Sequence, residues 1–224
     1  MSFSAPKLAL CIRRSEGSLV IDQNDPIGHL SKMPSYFIDR RWCETALNFV
    51  QILPYIVVKN TAGEVLTYRR PPTITGEKRL EGKLSLGLGG HMDNMVSYAN
   101  CLGDLRTFIY REGARELQEE IGLDYTTGLG LLASVQKWSA LYEPKHESPI
   151  EQRHLLPNVS YFHLGLVGVV TLPPNAEDKL DLVFEKSELF DVRWEYPDAV
   201  RQDSEAVLQY EDWSQQVLME KLYK

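Results

Sequence analysis

The sequence predicts a mixed α/β fold of the α+β kind, in which short strands are interleaved with two substantial helices. The first observation is that the chain has 224 residues, of which 43% are hydrophobic and 25% charged, as in an ordinary globular protein. The second is a set of short apolar runs bounded by turn residues. The third is a pair of longer segments with helical periodicity. Together these observations argue against a helical bundle.

The strands are predicted from the apolar runs. Residues 52–59 indicate a buried strand, and Thr61-Ala62-Gly63 turns the chain back into a second strand at residues 64–70, so that the two form a hairpin. Residues 84–88 indicate a short strand that leads into Gly89-Gly90. Further strands are predicted at residues 130–138, 161–171 and 188–194.

The helices are predicted from apolar residues that recur on one face. Residues 105–121 have such a stripe, and Gly122 stands where a helix commonly ends in glycine. Residues 204–222 form an amphipathic helix, and residues 40–49 are a shorter helical candidate. Residues 91–104 are polar and predict no regular element.

Charge and cysteine content exclude several classes of protein. The 24 basic and 31 acidic residues give a net charge of −7, which argues against a nucleic-acid binder with a broad basic surface. Cys11, Cys43 and Cys101 are far apart in the sequence and form neither a disulfide framework nor a zinc knuckle, so a reducing cytosol is expected. The longest apolar stretch, residues 164–172, is about half of the ~20 residues that a membrane helix needs. These features predict a cytoplasmic protein that binds neither membranes nor nucleic-acid polymers.

An acidic cluster at the end of the longest predicted helix is the clearest functional signal. Glu116, Glu119 and Glu120 stand at spacings i, i+3 and i+4, so their carboxylates share one helix face. Like charges at this spacing destabilise a helix by roughly 0.2–0.5 kcal/mol per pair, and the C-terminal end of the helix dipole disfavours anions further. Carboxylate oxygens are what Mg²⁺ requires, so the sequence predicts a divalent cation among them. The alternative interpretation is a solvated acidic face.

Residues 115–123 resemble the second half of the Nudix box, Arg-Glu-U-x-Glu-Glu-x-Gly-U with U aliphatic, at every specified position. The glycine pair before the helix and the order of strands and helices over residues 50–200 are similar to the same family. The resemblance implies a mixed sheet sandwiched between helices. It also implies hydrolysis of a diphosphate bond, with Mg²⁺ or Mn²⁺, in a nucleoside diphosphate-linked or similar small phosphorylated substrate.

The resemblance also implies roles for individual residues. Glu116, Glu119, Glu120 and the Gly90 carbonyl would be metal ligands, and Arg115 would orient the glutamates by ion pairing. Glu119, Glu120 and Arg115 form the expected catalytic set. The arginines expected to hold substrate phosphates are Arg69, Arg70 and Arg79, and the downstream candidates for a general base are Glu143, Glu147 and Glu151.

The first half of the box departs from the family pattern. Thr107 stands at its glutamate position and Cys101 at its glycine position. If Gly90 is the box glycine, 24 residues separate it from Arg115, which amounts to an insertion. Asp93, Asp104 and Glu112 are the candidates to replace the missing glutamate.

The chain is expected to consist of an N-terminal extension, residues 1–49, packed on a Nudix hydrolase domain at residues 50–224. A homodimer is expected at the level of the family. Two alternatives stay open from the sequence. One is a Nudix-fold protein that has lost catalysis and acts as a nucleotide sensor, and the other is an unrelated α/β domain with a solvated acidic helix.

Overall fold

The structure, a computed structural model, describes residues 7–15, 19–70, 80–142, 159–177, 180 and 189–224. The chain divides into two compact units. The first is formed by Met1–Pro54, Gly90–Ile109 and Trp138–Leu166, and the second by Tyr55–Gly89, Tyr110–Lys137 and Val167–Lys224.

The strands of the described residues form a mixed sheet of nine strands. They are β1 Leu8–Arg13, β2 Ser35–Asp39, β3 Phe49–Lys59, β4 Val65–Arg69, β5 Leu84–Ser85, β6 Gly87–Leu88, β7 Ser139–Leu141, β8 His163–Thr171 and β9 Phe190–Glu195. The helices are α1 Pro26–Leu30, α2 Arg40–Cys43, α3 Met95–Asn100, α4 Leu105–Ile121, α5 Tyr125–Ala133, α6 Val159–Phe162, α7 Pro174–Glu177, α8 Pro197–Gln202, α9 Ser204–Val207 and α10 Asp212–Glu220. The predicted α+β class with a mixed sheet is confirmed.

In the first unit, β1 lies between β2 and the beginning of β3, antiparallel to both. Its residues Leu10 and Ile12 are fully buried. Arg14, directly after β1, is also buried, where its guanidinium covers the ring of Tyr161 at 4.1 Å and donates to the Tyr161 carbonyl. This strand was not predicted from the sequence.

In the second unit, β4 is the central strand. It pairs antiparallel with the end of β3, with β5 and with β9. The C-terminal segment joins this sheet through backbone hydrogen bonds, since the Leu84 amide donates to the Gln209 carbonyl at 2.9 Å and the Glu211 amide donates to the Leu84 carbonyl at 2.8 Å. Residues 208–211 therefore leave the helical conformation between α9 and α10.

Most predicted elements are confirmed, and the helix at residues 105–121 has the predicted bounds. The predicted strand at residues 130–138 is wrong, because Asp124 accepts a hydrogen bond from the Thr127 amide and so begins α5 upstream of it. The single helix predicted at residues 204–222 is wrong because of the pairing with Leu84. Only Arg40–Cys43 of residues 40–49 is helical, and α3 lies within the segment predicted to be irregular.

Within the described part of the chain, no helix combines the length and the apolar character needed to cross a membrane.

Candidate active site

The second half of helix α4 is fixed in the second unit by close packing of its apolar face. Leu117 and Ile121 are fully buried. A Cβ on Gly113 would lie 2.9 Å from the Cδ1 atom of Leu132, so only glycine allows α5 to approach this closely without displacing that leucine. Gly122 adopts φ 67° and ends the helix. The carboxylates lie on a different face of the helix from these apolar residues.

The guanidinium of Arg115 pairs with three carboxylates of the same helix. Its nitrogens lie 2.7 Å from Glu119, 2.5 Å from Glu116 and 3.1 Å from Glu112. The side chain of Glu112 is 3% exposed and that of Glu116 10%, whereas that of Glu119 is 58% exposed. One positive charge is thus shared by three carboxylates, two of them almost completely removed from water.

Burial has a direct electrostatic consequence for Glu116. Removal of its carboxyl group from water raises its pKa to about 7, against the attraction of Arg115, and the neighbouring charge of Glu119 contributes in the same direction. A buried carboxylate in this state gains from any additional positive charge. The carboxylate of Glu116 would therefore interact favourably with a cation in addition to Arg115.

Glu120 connects the helix to the glycine pair. The amide of Gly89 donates to Oε2 of Glu120 at 3.2 Å. Gly89 directly follows β6, which pairs with β3, and Gly90 is the next residue of the chain. The hydrogen bond thus fixes one of the three predicted glutamates against the end of the strand.

The donor chemistry of this cluster suits a hard divalent cation, because every side-chain donor is a carboxylate oxygen and the negative charges exceed the single guanidinium. Among the described residues, however, no group of three or more His, Cys, Asp and Glu side chains is gathered as a ready metal site. Glu116 and Glu119 are instead paired with Arg115. Binding of a cation would compete with these ion pairs.

The predicted phosphate-binding arginines differ in their surroundings. The Nε atom of Arg69 lies 3.4 Å from a carboxylate oxygen of Asp191, and its Nη1 atom donates a hydrogen bond to the Gly82 carbonyl at 2.7 Å. Arg79 lies outside the described residues.

Arg70 is held differently from its neighbour. Its Nε atom is buried and has no hydrogen-bond partner among the described residues, and its guanidinium lies 5.8 Å from the ring centre of Tyr68. The pKa of Arg70 is raised by Tyr68, and also by Glu211 and by Glu120 of the acidic helix. The positive charge of Arg70 therefore interacts with one carboxylate of the acidic helix.

The three downstream candidates for a general base, Glu143, Glu147 and Glu151, lie outside the described residues. The three candidates to replace the missing box glutamate are described. Asp104 caps the beginning of α4 by accepting hydrogen bonds from Thr107. Asp93 is exposed in the first unit. Of the three candidates, only Glu112 contacts Arg115. The spacing i, i+3 between Glu112 and Arg115 is the sequence signal that favours it.

A buried polar cluster near Arg70 was not predicted. Glu211 accepts hydrogen bonds from the Tyr55 hydroxyl at 2.5 Å and from the Ser214 hydroxyl at 2.7 Å. Glu211 also caps α10 by accepting from the Ser214 and Trp213 amides. An acidic residue three positions before the buried Ser214 resembles an ordinary helix cap in the sequence, so nothing there reveals its contact with Tyr55.

Comparison with known proteins bears on the fold of this chain. No family model matches the chain. Protein YmaB of Bacillus subtilis is 30% identical over 171 residues, which cover 76% of this chain and 70% of that protein. The crystal structure of Tm1382, assigned as a candidate Nudix hydrolase, superposes with a TM-score of 0.50 at 18% identity and covers 96% of this chain and 98% of its own. The predicted resemblance is thereby confirmed at the level of the fold, and the chain belongs to the family of Bacillus subtilis YmaB and has the Nudix fold.

Proposed function

We propose that this protein is a Mg²⁺- or Mn²⁺-dependent hydrolase that cleaves a diphosphate bond in a nucleoside diphosphate-linked or similar small phosphorylated substrate. The observation that carries the proposal is the set of carboxylates around Arg115 at the end of α4. These carboxylates belong to a helix whose sequence matches the Nudix box from residue 115 to 123. A stability-driven sequence would place cations at this end of a helix.

The residues that would hold the cation are Glu116, Glu119 and Glu120, together with the Gly90 carbonyl. When bound, a divalent cation neutralises diphosphate charge and lowers the pKa of a coordinated water. The protein's own contribution is to hold the carboxylates in place. Arg115 fixes Glu116 and Glu119 by ion pairs, and the Gly89 amide fixes Glu120 by a hydrogen bond.

Two further residues have supporting roles in the proposal. Glu112 positions Arg115 from the turn before it, in the role of the glutamate that the first half of the box lacks. Arg70 binds phosphate oxygens through its guanidinium, whose positive charge interacts with Glu120 of the acidic helix. The general base is either a box glutamate or one of Glu143, Glu147 and Glu151.

The experiment is hydrolysis of a panel of nucleoside diphosphate derivatives, with and without Mg²⁺, by the wild type and by Glu119→Gln and Glu120→Gln. Glu220→Gln, at an exposed glutamate on α10, is the matched control for loss of one charge. We expect turnover by the wild type and the control, and a loss of about 100-fold or more in each box variant.

Turnover that survives both box substitutions would contradict the metal-site assignment. Absence of turnover on the whole panel, together with tight nucleotide binding, would favour the sensor interpretation instead. The homodimer, the cytoplasmic location and the division at residues 49 and 50 remain predictions. Light scattering on the purified chain tests the first of them.

A further inference from the structure

Two cysteines of the first unit lie side by side in space although 32 residues separate them in the sequence. The Sγ atoms of Cys11 and Cys43 are 3.0 Å apart. Both are free thiols. The gap is about 1 Å longer than the ~2.05 Å of a disulfide bond, so a small movement would allow the bond to form.

The pair is enclosed by apolar side chains. Both cysteines have no exposed surface, and they form one apolar cluster with Ala9, against which Ile38 and Phe49 pack. Cys11 lies in β1, where it is held between β2 and β3 by backbone pairing. Its position is therefore fixed by the sheet.

Cys43 has more freedom, because it is the last residue of α2, a single helical turn. The side chains on either side of it are exposed, and that of Trp42 is 70% exposed. Opening of this one turn would bring the Cys43 sulfur to solvent without disturbing the sheet. Short surface turns of this kind open at low free-energy cost.

The two thiols are also chemically unequal. The contact between the two sulfur atoms lowers the pKa of the Cys43 thiol and raises the pKa of the Cys11 thiol. The thiolate is the form of cysteine that reacts with oxidants. Because Cys43 lies in the turn that can open to solvent, it is the thiol that meets the oxidant first, and Cys11, fixed in β1, is placed to react with it afterwards.

We propose that Cys11 and Cys43 are a redox modification site at which a hydroperoxide forms a reversible disulfide. In the first step the Cys43 thiolate attacks the O–O bond of hydrogen peroxide and takes up one oxygen as a sulfenic acid, and with a proton the other oxygen leaves as water. In the second step the Cys11 thiol attacks that sulfur, an S–S bond forms, the S–O bond breaks and a second water leaves. The two thiols lose two electrons, and the peroxide gains them.

The test uses the full-length protein, treated with hydrogen peroxide and then denatured for thiol counting and peptide mass mapping. We expect the number of thiols to fall from three to one. The peptides of Cys11 and Cys43 should be joined and lighter by two hydrogen atoms, and dithiothreitol should restore both thiols. Cys101 is the built-in control, since it is buried as well and is not part of the pair.

Cysteine variants separate the role of Cys43, which reacts with the peroxide, from that of Cys11, which then forms the disulfide. Cys101→Ser should keep the cross-link, and Cys43→Ser should abolish it. Cys11→Ser should leave a sulfenic acid on Cys43 that dimedone labels in the folded protein, as circular dichroism would verify. Persistence of all three thiols under peroxide that oxidises them in urea would overturn the proposal, as would a cross-link to Cys101 or dimedone labelling confined to Cys11.

Discussion

At the scale of single residues, the guanidinium of Arg115 lies between three carboxylates of its own helix, and two of these are almost fully buried. Its removal leaves the charges of Glu112 and Glu116 without this partner in a poorly hydrated place. Breaking a buried pair in this way is strongly destabilising. Without the Arg115 guanidinium, these carboxylates can instead bind another cation.

We therefore expect Arg115→Ala to lower the free energy of unfolding by about 3 kcal/mol in the presence of a chelator. Added Mn²⁺ should recover more of the stability of this variant than of the wild type, because the metal replaces the missing positive charge. Urea denaturation with and without Mn²⁺ measures both effects. Arg41→Ala, at an exposed pair with Asp39, is the control, and an equal response of all three proteins to Mn²⁺ would contradict the proposed cation site.

Arg69 and Arg70 are neighbours in the sequence, but their substitution by alanine is predicted to affect KM differently. Arg69 is bound by Asp191 and the Gly82 carbonyl, whereas Arg70 has a buried Nε atom with no hydrogen-bond partner among the described contacts. We expect Arg70→Ala to raise KM by about 10-fold or more with a smaller change in kcat, since a charge-assisted hydrogen bond contributes about 1.5–3 kcal/mol. Arg69→Ala should leave KM nearly unchanged. Steady-state kinetics on a substrate found in the hydrolysis panel decides between them, and equal KM effects would remove Arg70 from its proposed role.

Tyr68 gives the protein a predicted response to alkaline pH. Its hydroxyl is buried and donates to the Gly87 carbonyl at 2.8 Å, and burial raises its pKa to about 12 from an ordinary value of 10. Because the raised pKa favours the protonated form in the folded state, its contribution to stability is complete below pH 10 and is lost as the pH rises through 12.

The difference in unfolding free energy between the wild type and Tyr68→Phe is therefore expected to be about 1 kcal/mol at neutral pH. It should shrink steadily between pH 10 and 12. Urea denaturation at a series of pH values measures it. A difference that stays constant over this range would show that Tyr68 ionises at the same pH in the folded and unfolded chains.

At the scale of elements, the glycines around α4 and α5 have opposite roles. A Cβ on Gly130 of α5 would have no heavy atom within 4 Å, whereas one on Gly113 of α4 would lie 2.9 Å from Leu132 and 3.6 Å from Ile56. Glycine in a helix is less favourable than alanine by about 1 kcal/mol. One of the two glycines is thus needed for packing, and the other is not.

We expect Gly130→Ala to stabilise the protein by up to about 1 kcal/mol and Gly113→Val to destabilise it by about 1–3 kcal/mol. Thermal and urea unfolding of the two variants measure these changes. A destabilising Gly130→Ala would mean that residues 125–133 do not form a helix in solution.

The elements also indicate what a sequence can predict and what it cannot. Helix α4 and its three glutamates were predictable because a helical stripe, a terminal glycine and the i, i+3, i+4 spacing are all local. The end of α5 was mistaken for a strand because a short apolar run does not distinguish a helix from a strand, and the helix begins upstream of that run at the Asp124 cap. The break between α9 and α10 follows from pairing with Leu84, which is more than 100 residues away in the sequence.

The same distinction applies to the candidate site. Glu116, Glu119 and Arg115 interact within two turns of one helix, so their pairing follows from the spacing. The interaction of the Arg70 charge with Glu120 could not be predicted, because about 50 residues separate the two in the sequence and only the packed structure brings the charges into interaction. For the same reason the contact of Cys11 with Cys43 was not foreseen from cysteine spacing.

At the scale of the whole molecule, the pairing of Leu84 with Gln209 and Glu211 has a consequence for behaviour in concentrated solution. A strand that ends a sheet presents a row of unsatisfied backbone groups to which another chain can add, and this is a common route to aggregation. Among the described strands, β5 is the last on its side of the sheet path, and the C-terminal segment already uses its amide and carbonyl at Leu84. Ser214 of α10 adds a further hydrogen bond, from the Leu86 amide to its hydroxyl at 3.0 Å. Residues 209–214 therefore cover the edge of the sheet at β5, where strands of neighbouring molecules could otherwise pair.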